Sequence, residues 1–98
     1  MAYRIEYSPF AAEHLEGLSA GQARVVLNAV DEQLQHQPAV ETRNRKPMRP
    51  NPIAPWELRA GDLRVYYEVD AAEAVVRILA VGVKDRNVVR IGKEVFEL

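Results

Sequence analysis

The stretch WELRAGDLRVYYEVD, residues 56–70, restricts the possible folds of this chain more than any other segment. Apolar and polar residues alternate on both sides of Gly61-Asp62, and Gly-Asp is a recognised signal for a two-residue hairpin turn. The pattern therefore predicts two antiparallel strands, Trp56–Ala60 and Leu63–Asp70. A third strand is predicted over residues 74–81, after a second turn at 71–72, because VVRILAV is rich in β-branched residues.

These three strands are predicted to form a meander with two unlike faces, because side chains alternate along a strand. Two-residue loops would place Arg59 opposite Arg64 in the first hairpin and Tyr67 opposite Val76 in the second. One face is then apolar and predicts a core, carrying Trp56, Leu58, Val65, Tyr67, Val69, Val76 and Ile78. The other face carries Glu57, Arg59, Arg64, Tyr66, Arg77 and Leu79.

The N-terminal half predicts one strand and two helices. Tyr3, Ile5 and Tyr7 alternate with charged residues, as in a half-buried strand. Ser8-Pro9 is a helix start, and helices are predicted over residues 9–18 and 21–36. Their apolar stripes are Phe10, Ala11, Leu15 and Leu18 in the first helix and, in the second, Val26, Val30 and Leu34, joined by Ala23 and Leu27.

The resulting order, β-α-α-β-β-β, predicts an α+β fold in which both helices pack on one face of an antiparallel sheet. The opposite face is expected to be left open. The whole chain, residues 1–98, is expected to form a single domain because its length suits one modest core. The tail after residue 82 alternates loosely and fits a short strand, a helical turn or both.

Charge is unevenly distributed along the chain. Residues 1–42 carry two basic and six acidic side chains, a balance of −4, whereas residues 43–98 carry eleven and eight, a balance of +3. Part of the excess lies in the proline-rich segment 37–55, which contains Arg43, Arg45, Lys46 and Arg49. A basic half indicates either an anionic partner or a solvated surface that is merely uneven.

Two opposed arginines on one sheet face need an explanation, because like charges directly across a strand pair are destabilising. One explanation is a clamp for phosphate, which guanidinium groups bind with paired donors. The other is that Glu57 and Asp62 neutralise the pair as ordinary surface ion pairs. Tyr66 beside Arg77 similarly fits a base-stacking surface or a simple packing pair.

Several kinds of chemistry are not expected. The chain has no cysteine, and its two histidines, His14 and His36, have no neighbours typical of metal ligands, so we expect no metal and no cofactor. The sequence shows no signal peptide and no apolar run near 18 residues, which predicts no membrane span and a cytoplasmic location. Cations alone can promote RNA cleavage, because the 2′-hydroxyl is an internal nucleophile and the developing charge needs electrostatic stabilisation.

The segments RKPMR, WELRAGDLRVYYEV and VVRILAVGVKDR together resemble the RelE/ParE superfamily of type II toxins. The resemblance implies a ribosome-dependent mRNA endonuclease that inhibits translation. It implies that Arg64 contacts the scissile phosphate, that Lys46 lies in the basic loop, and that Lys84 and Arg86 follow the last core strand. The resulting prediction assigns catalysis to Arg64, Arg59, Lys84 and Lys46, and RNA binding to Arg43, Arg45, Arg49, Arg77, Arg86 and Arg90.

The resemblance also implies partners: a cognate antitoxin in a hetero-oligomer, together with the ribosome and mRNA. The same superfamily contains poisons of DNA gyrase, and a degenerate member that only binds an antitoxin is a further alternative. Some of its endonucleases transfer protons through a tyrosine or histidine near the C-terminus. This chain ends KDRNVVRIGKEVFEL, so either a lysine serves, charge stabilisation carries the reaction, or activity is weak.

Overall fold

A computed structural model describes residues 2–98 and confirms an α+β fold with both helices against a mostly antiparallel sheet. The elements are β1 (Arg4–Tyr7), α1 (Pro9–Glu16), α2 (Ala20–Gln33), β2 (Arg45–Pro47), β3 (Trp56–Ala60), β4 (Leu63–Asp70), β5 (Val75–Asp85), β6 (Val88–Ile91) and β7 (Glu94–Phe96). The predicted order is confirmed, with three short additional strands: β2 within the proline-rich segment and β6 and β7 within the tail. No helix in residues 2–98 has the length and apolar character needed to cross a membrane.

The sheet has the order β2-β3-β4-β5-β6-β7, and β1 pairs in parallel with the first half of β5. The two helices cover one face. Ala11, Val26, Val30 and Leu34 are fully buried there against Leu58 and the other apolar residues of that face. We call the opposite face of the sheet the far face.

α1 starts at Pro9 as predicted, whereas α2 starts at Ala20, one residue before the predicted start, and the helices end at Glu16 and Gln33, before the predicted ends at 18 and 36. The Ser8 hydroxyl accepts a hydrogen bond from the Ala11 amide, and Ser19 and Gln22 form a reciprocal capping box. Phe10 does not follow the prediction. It is 69% exposed because the buried stripe of this short helix passes through Ala11, and Phe10 lies about 100° further round the helix. Leu27 is likewise 42% exposed, because the buried stripe of α2 passes through its neighbour Val26.

The first hairpin has the predicted register, with Arg59 opposite Arg64. The predicted register of the second hairpin is wrong, since Tyr67 lies opposite Ile78 rather than Val76. The turn contains four residues, 71–74, and β5 contains an extra residue, Leu79, at a bulge. Between the turn and the bulge, the observed pairing is shifted by two residues from the predicted one. Because side chains alternate between the two faces of a strand, the assignment of Tyr67, Val76 and Ile78 to the helix-covered face remains correct.

The prediction of an open far face is wrong. Residues 48–55 and residues 88–96 both fold across it. We call residues 88–96 the flap. They form a second apolar cluster in which Tyr66 is fully buried, and its other buried members are Ala54, Ala80, Val89 and Ile91. Asn51 organises the loop, because its side-chain amide donates to the Ala54 carbonyl and accepts from the Ile53 amide.

Candidate functional site

Arg59 and Arg64 face each other across β3 and β4, and each has an internal partner. The Arg59 Nε donates to the Glu57 carboxylate at 2.8 Å, while about half of the Arg59 side chain stays exposed. Arg64 is buried, and its Nη1 donates to the carbonyls of Gly61 at 2.7 Å and Leu63 at 2.9 Å. The pair is therefore stabilised by one ion pair and by the carbonyls of Gly61 and Leu63. The ion-pair alternative is confirmed for Glu57 but not for Asp62, which forms no ion pair within residues 2–98.

Tyr66 lies next to this pair on the far face. Its hydroxyl is buried and makes no hydrogen bond of good geometry within residues 2–98, although the Glu57 carboxylate is close. Burial, and then the negative charge of Glu57, raise the pKa of Tyr66 well above its ordinary range. Tyr66 therefore stays protonated at physiological pH and is not available as a proton acceptor.

Two predicted lysines also lie on the far face. Lys46 is opposite Glu57 across β2 and β3, and its Nζ is 3.4 Å from the Glu41 carboxylate. Lys84 is two residues beyond Gly82, which pairs with Arg64, so Lys84 is on the same face and at the same end of the sheet as the arginines. Lys84 lies within β5 rather than after it. It is exposed and has no ion pair within residues 2–98.

The other predicted RNA-binding residues are not brought together. Arg77 lies at the opposite end of β5 and pairs with Glu6 and Asp70, each at 3.6 Å. Arg90 is opposite Val83 and so belongs to the helix-covered side. The remaining predicted residues are exposed: Arg43 before β2, Arg49 after it, and Arg86, with a φ of 59°, in the turn after β5.

A groove of about 680 Å³ opens on the far face between the proline-rich segment and the end of the chain. Glu57 and Arg59 lie in it, Arg49 and Asn51 line one side, and Phe96 lines the other. It thus places two cations, Arg49 and Arg59, two carboxylates, Glu57 and Glu97, and a partly buried aromatic ring within one concave surface. Within residues 2–98, no three His, Asp or Glu side chains are grouped so that they could hold a metal ion.

The family is established by comparison with known proteins. The model of the ParE toxin of the type II toxin-antitoxin system parDE matches residues 5–88. This chain belongs to the ParE toxin family. It is therefore a type II toxin of the RelE/ParE superfamily. A search of curated proteins finds no match.

Two solved structures show the same fold as this ParE-family toxin. One is the toxin-antitoxin complex RelBE2 from Mycobacterium tuberculosis, with 24% identity, a TM-score of 0.74, and coverage of 86% of this chain and 93% of that chain. The other is the archaeal RelE–RelB complex from Pyrococcus horikoshii, with 24% identity, a TM-score of 0.69, and coverage of 88% and 99%.

Arg45 has a structural role in the toxin, although it lies in a basic stretch of the sequence. It is buried on the helix-covered side, where its Nη1 donates to the Gln33 carbonyl at 2.7 Å and its Nε donates to the Val40 carbonyl at 3.0 Å. Gln33 is the last residue of α2, and a cation is favourable at a helix C-terminus. Arg45 therefore ties the end of α2 to the start of the basic loop.

We expect Arg45→Met to destabilise the toxin by about 1–2 kcal/mol, because two carbonyls lose a charged donor in a partly buried place. Urea denaturation followed by circular dichroism measures this change. Arg43→Met is the matched control, because Arg43 is exposed and has no ion pair within the described chain. Equal stability of the two variants would contradict the structural role of Arg45.

Sequence reasoning missed several side chains of the groove, among them Phe96 and Asn51. Phe96 was not predicted because the tail carried no clear period, and a contact between residues 96 and 59 has no local signal. Asn51 was hidden among prolines, although Asn-Pro pairs are typical of turns.

Proposed function

We propose that this toxin is a ribosome-dependent mRNA endonuclease that works in the cytoplasm without a metal. One observation carries the proposal: Arg59, Arg64 and Lys84 lie at the same end of the far face, and Arg59 lines the groove. Fixed cations that need no reorganisation are the main electrostatic means of stabilising a dianionic phosphorane. The partly buried ring of Phe96 lines the groove and gives it an apolar surface on which a base can stack.

The reaction assigns a separate role to each group. The 2′-oxygen attacks the adjacent phosphorus while its proton passes to the Glu57 carboxylate, the carboxylate of the groove that is paired with Arg59. The bond from phosphorus to the 5′-oxygen breaks, and that oxygen takes a proton from the Lys84 ammonium. The products are a 2′,3′-cyclic phosphate and a 5′-hydroxyl. Arginine stays charged, so Arg59 and Arg64 stabilise charge and do not transfer protons.

The proposal includes partners. Both similar structures are complexes of a toxin with an antitoxin, which supports an antitoxin as the protein partner of this chain. The ribosome and mRNA are its proposed targets. Arg49, an exposed cation that lines the groove, is assigned to contacts with phosphate groups, which position RNA without reading its sequence. Arg86, exposed in the turn after β5, is assigned to the same kind of contact.

Inducible expression followed by mapping of RNA 5′ ends tests this function. We expect growth arrest within one generation and new mRNA ends inside translated codons. Arg64→Lys keeps the charge but loses the guanidinium group, whose Nη1 donates to the Gly61 and Leu63 carbonyls, and it should weaken cleavage. Arg77→Lys is the matched control because it changes a cation at the other end of β5. Growth arrest with intact mRNA would contradict the proposal.

A second candidate is poisoning of DNA gyrase. It is favoured by the match to the ParE toxin model and by the internal partners of Arg59 and Arg64, which leave fewer free cations for RNA. In that case, expression should cause DNA breaks and filamentation while mRNA stays intact. Normal growth without any antitoxin would instead indicate a degenerate member that only binds a partner.

A further inference from the structure

The outer edge of β5 has a gap in its strand pairing. β1 pairs with β5 as far as Ile78, and β6 pairs with it only from Val83 onward. Residues 79–82 therefore have no strand partner on that side. Val81 is 1% exposed, so its backbone N–H would be costly to leave without a hydrogen-bond acceptor.

α1 fills this gap with two side chains. The Nδ1 of His14 accepts a hydrogen bond from the Val81 N–H at 3.2 Å, and the Ser8 hydroxyl donates to the Leu79 carbonyl at 3.1 Å. Because Nδ1 is the acceptor, this nitrogen carries no proton in the structure described, and the ring is neutral. The hydrogen bond joins α1 to the middle of the sheet.

The same ring also touches the flap. A Cβ placed on Gly92, in the turn between β6 and β7, would lie 3.3 Å from Cδ2 and 3.4 Å from Nε2 of His14. The imidazole therefore packs directly against the backbone of this turn, in which Gly92 has a φ of 62°. His14 therefore contacts both β5 and the flap.

We propose that His14 is a pH-sensitive latch that positions the flap over the far face. The imidazolium ring carries N–H groups on both nitrogens, so protonation would direct an Nδ1–H at the Val81 N–H. The ring would then leave the gap, and its packing against Gly92 would be lost. The flap supplies Ile91 and Phe96 to the cover of Tyr66 and to the wall of the groove, so its release would uncover the far face.

The charged groups around the imidazole ring determine the pH at which the latch opens. Glu13 lies on the same helix, Arg90 of β6 lines the cavity on one side of the ring, and Glu94 of β7 lines the cavity on the other. Burial lowers the pKa of His14 below its ordinary value of 6.5, and Glu13 opposes this effect. The closed state thus binds fewer protons than the open state. Its stability is fully present above pH 6.5 and falls as the pH falls through that value.

Hydrogen exchange of residues 88–96 tests the latch directly, independently of any nuclease or gyrase activity. We expect protection factors, corrected for intrinsic exchange, to stay constant between pH 7.5 and 6.5 and to fall from pH 6.5 to 5, by up to about tenfold per pH unit, the limit for one proton. His14→Asn keeps an acceptor oxygen near the position of Nδ1 but does not titrate. Its flap should stay protected across this range.

Two further variants separate the latch from simple packing. His14→Ala should show low protection at every pH, because the acceptor is absent. His36→Asn alters the exposed histidine after α2 and should keep the pH dependence of the wild type. A wild-type flap whose protection is independent of pH would overturn the proposal. So would a pH dependence that persists in His14→Asn.

Discussion

Lys84→Ala should lower mRNA cleavage by about 10²–10³-fold, the loss typical of removing one group that stabilises transition-state charge. The free energy of unfolding should change by no more than about 0.5 kcal/mol, because Lys84 is exposed and has no ion pair within the described chain. Cleavage is measured on programmed ribosomes by quantifying the new RNA ends, and stability by urea denaturation. The two measurements together separate a catalytic effect from loss of the fold.

Two other variants sharpen this result. Lys84→Arg keeps the positive charge but not the ability to release a proton, so it should remain impaired if Lys84 protonates the leaving 5′-oxygen. Lys93→Ala is the matched control, because Lys93 is exposed in the turn between β6 and β7. Full cleavage by Lys84→Ala would remove Lys84 from the mechanism. Equal losses in Lys84→Ala and Lys93→Ala would indicate a general charge effect instead.

The parts of the fold that could be predicted from the sequence are those specified by local chemistry. Gly61-Asp62 sets the register of the first hairpin, and the Ser8-Pro9 cap sets the start of α1. Alternation along β4 was enough to assign Val65 and Tyr67 to the core. Each of these signals lies within a few residues of the structure that it determines.

The features that could not be predicted depend on distant contacts. The bulge at Leu79 occurs where β1 stops pairing with β5, and no residue near position 79 marks it as a bulge. The flap alternates too weakly to be recognised, yet it buries Val89 and Ile91 against Tyr66. As a consequence, the far face, which the sequence predicts to be open, is covered.

The candidate site was predictable in part for the same reason. Strand parity correctly placed Arg59, Arg64 and Lys84 on one face, because alternation holds whatever covers that face. It could not show that Arg64 is buried against the hairpin carbonyls or that Arg45 holds the end of α2. Charge along a sequence shows where cations are concentrated, but only three-dimensional contacts show which of them are free to bind an anion.

Gly82→Ala should be strongly destabilising, by about 2–3 kcal/mol, through overpacking. A Cβ at this position would lie 2.7 Å from Cγ1 of Val89, 2.8 Å from the Arg90 carbonyl oxygen and 2.9 Å from Cγ1 of Ile91. One of these neighbours is backbone, so a change of side-chain rotamer cannot relieve the contact. β6 must move away from β5, and the flap should lose hydrogen-exchange protection together with overall stability.

Gly21→Ala is the matched control for this substitution. Gly21 lies in the first turn of α2, and a Cβ there would meet nothing within 4 Å. Alanine has the higher helix propensity, so this variant should be unchanged or more stable by up to about 1 kcal/mol. If the close approach of β6 to Gly82 is required, urea denaturation should give a lower free energy of unfolding for Gly82→Ala than for the wild type, and an equal or higher one for Gly21→Ala. Equal stability of Gly82→Ala and the wild type would show that β6 can move at little cost, and the flap would then be held chiefly by its apolar contacts with Tyr66.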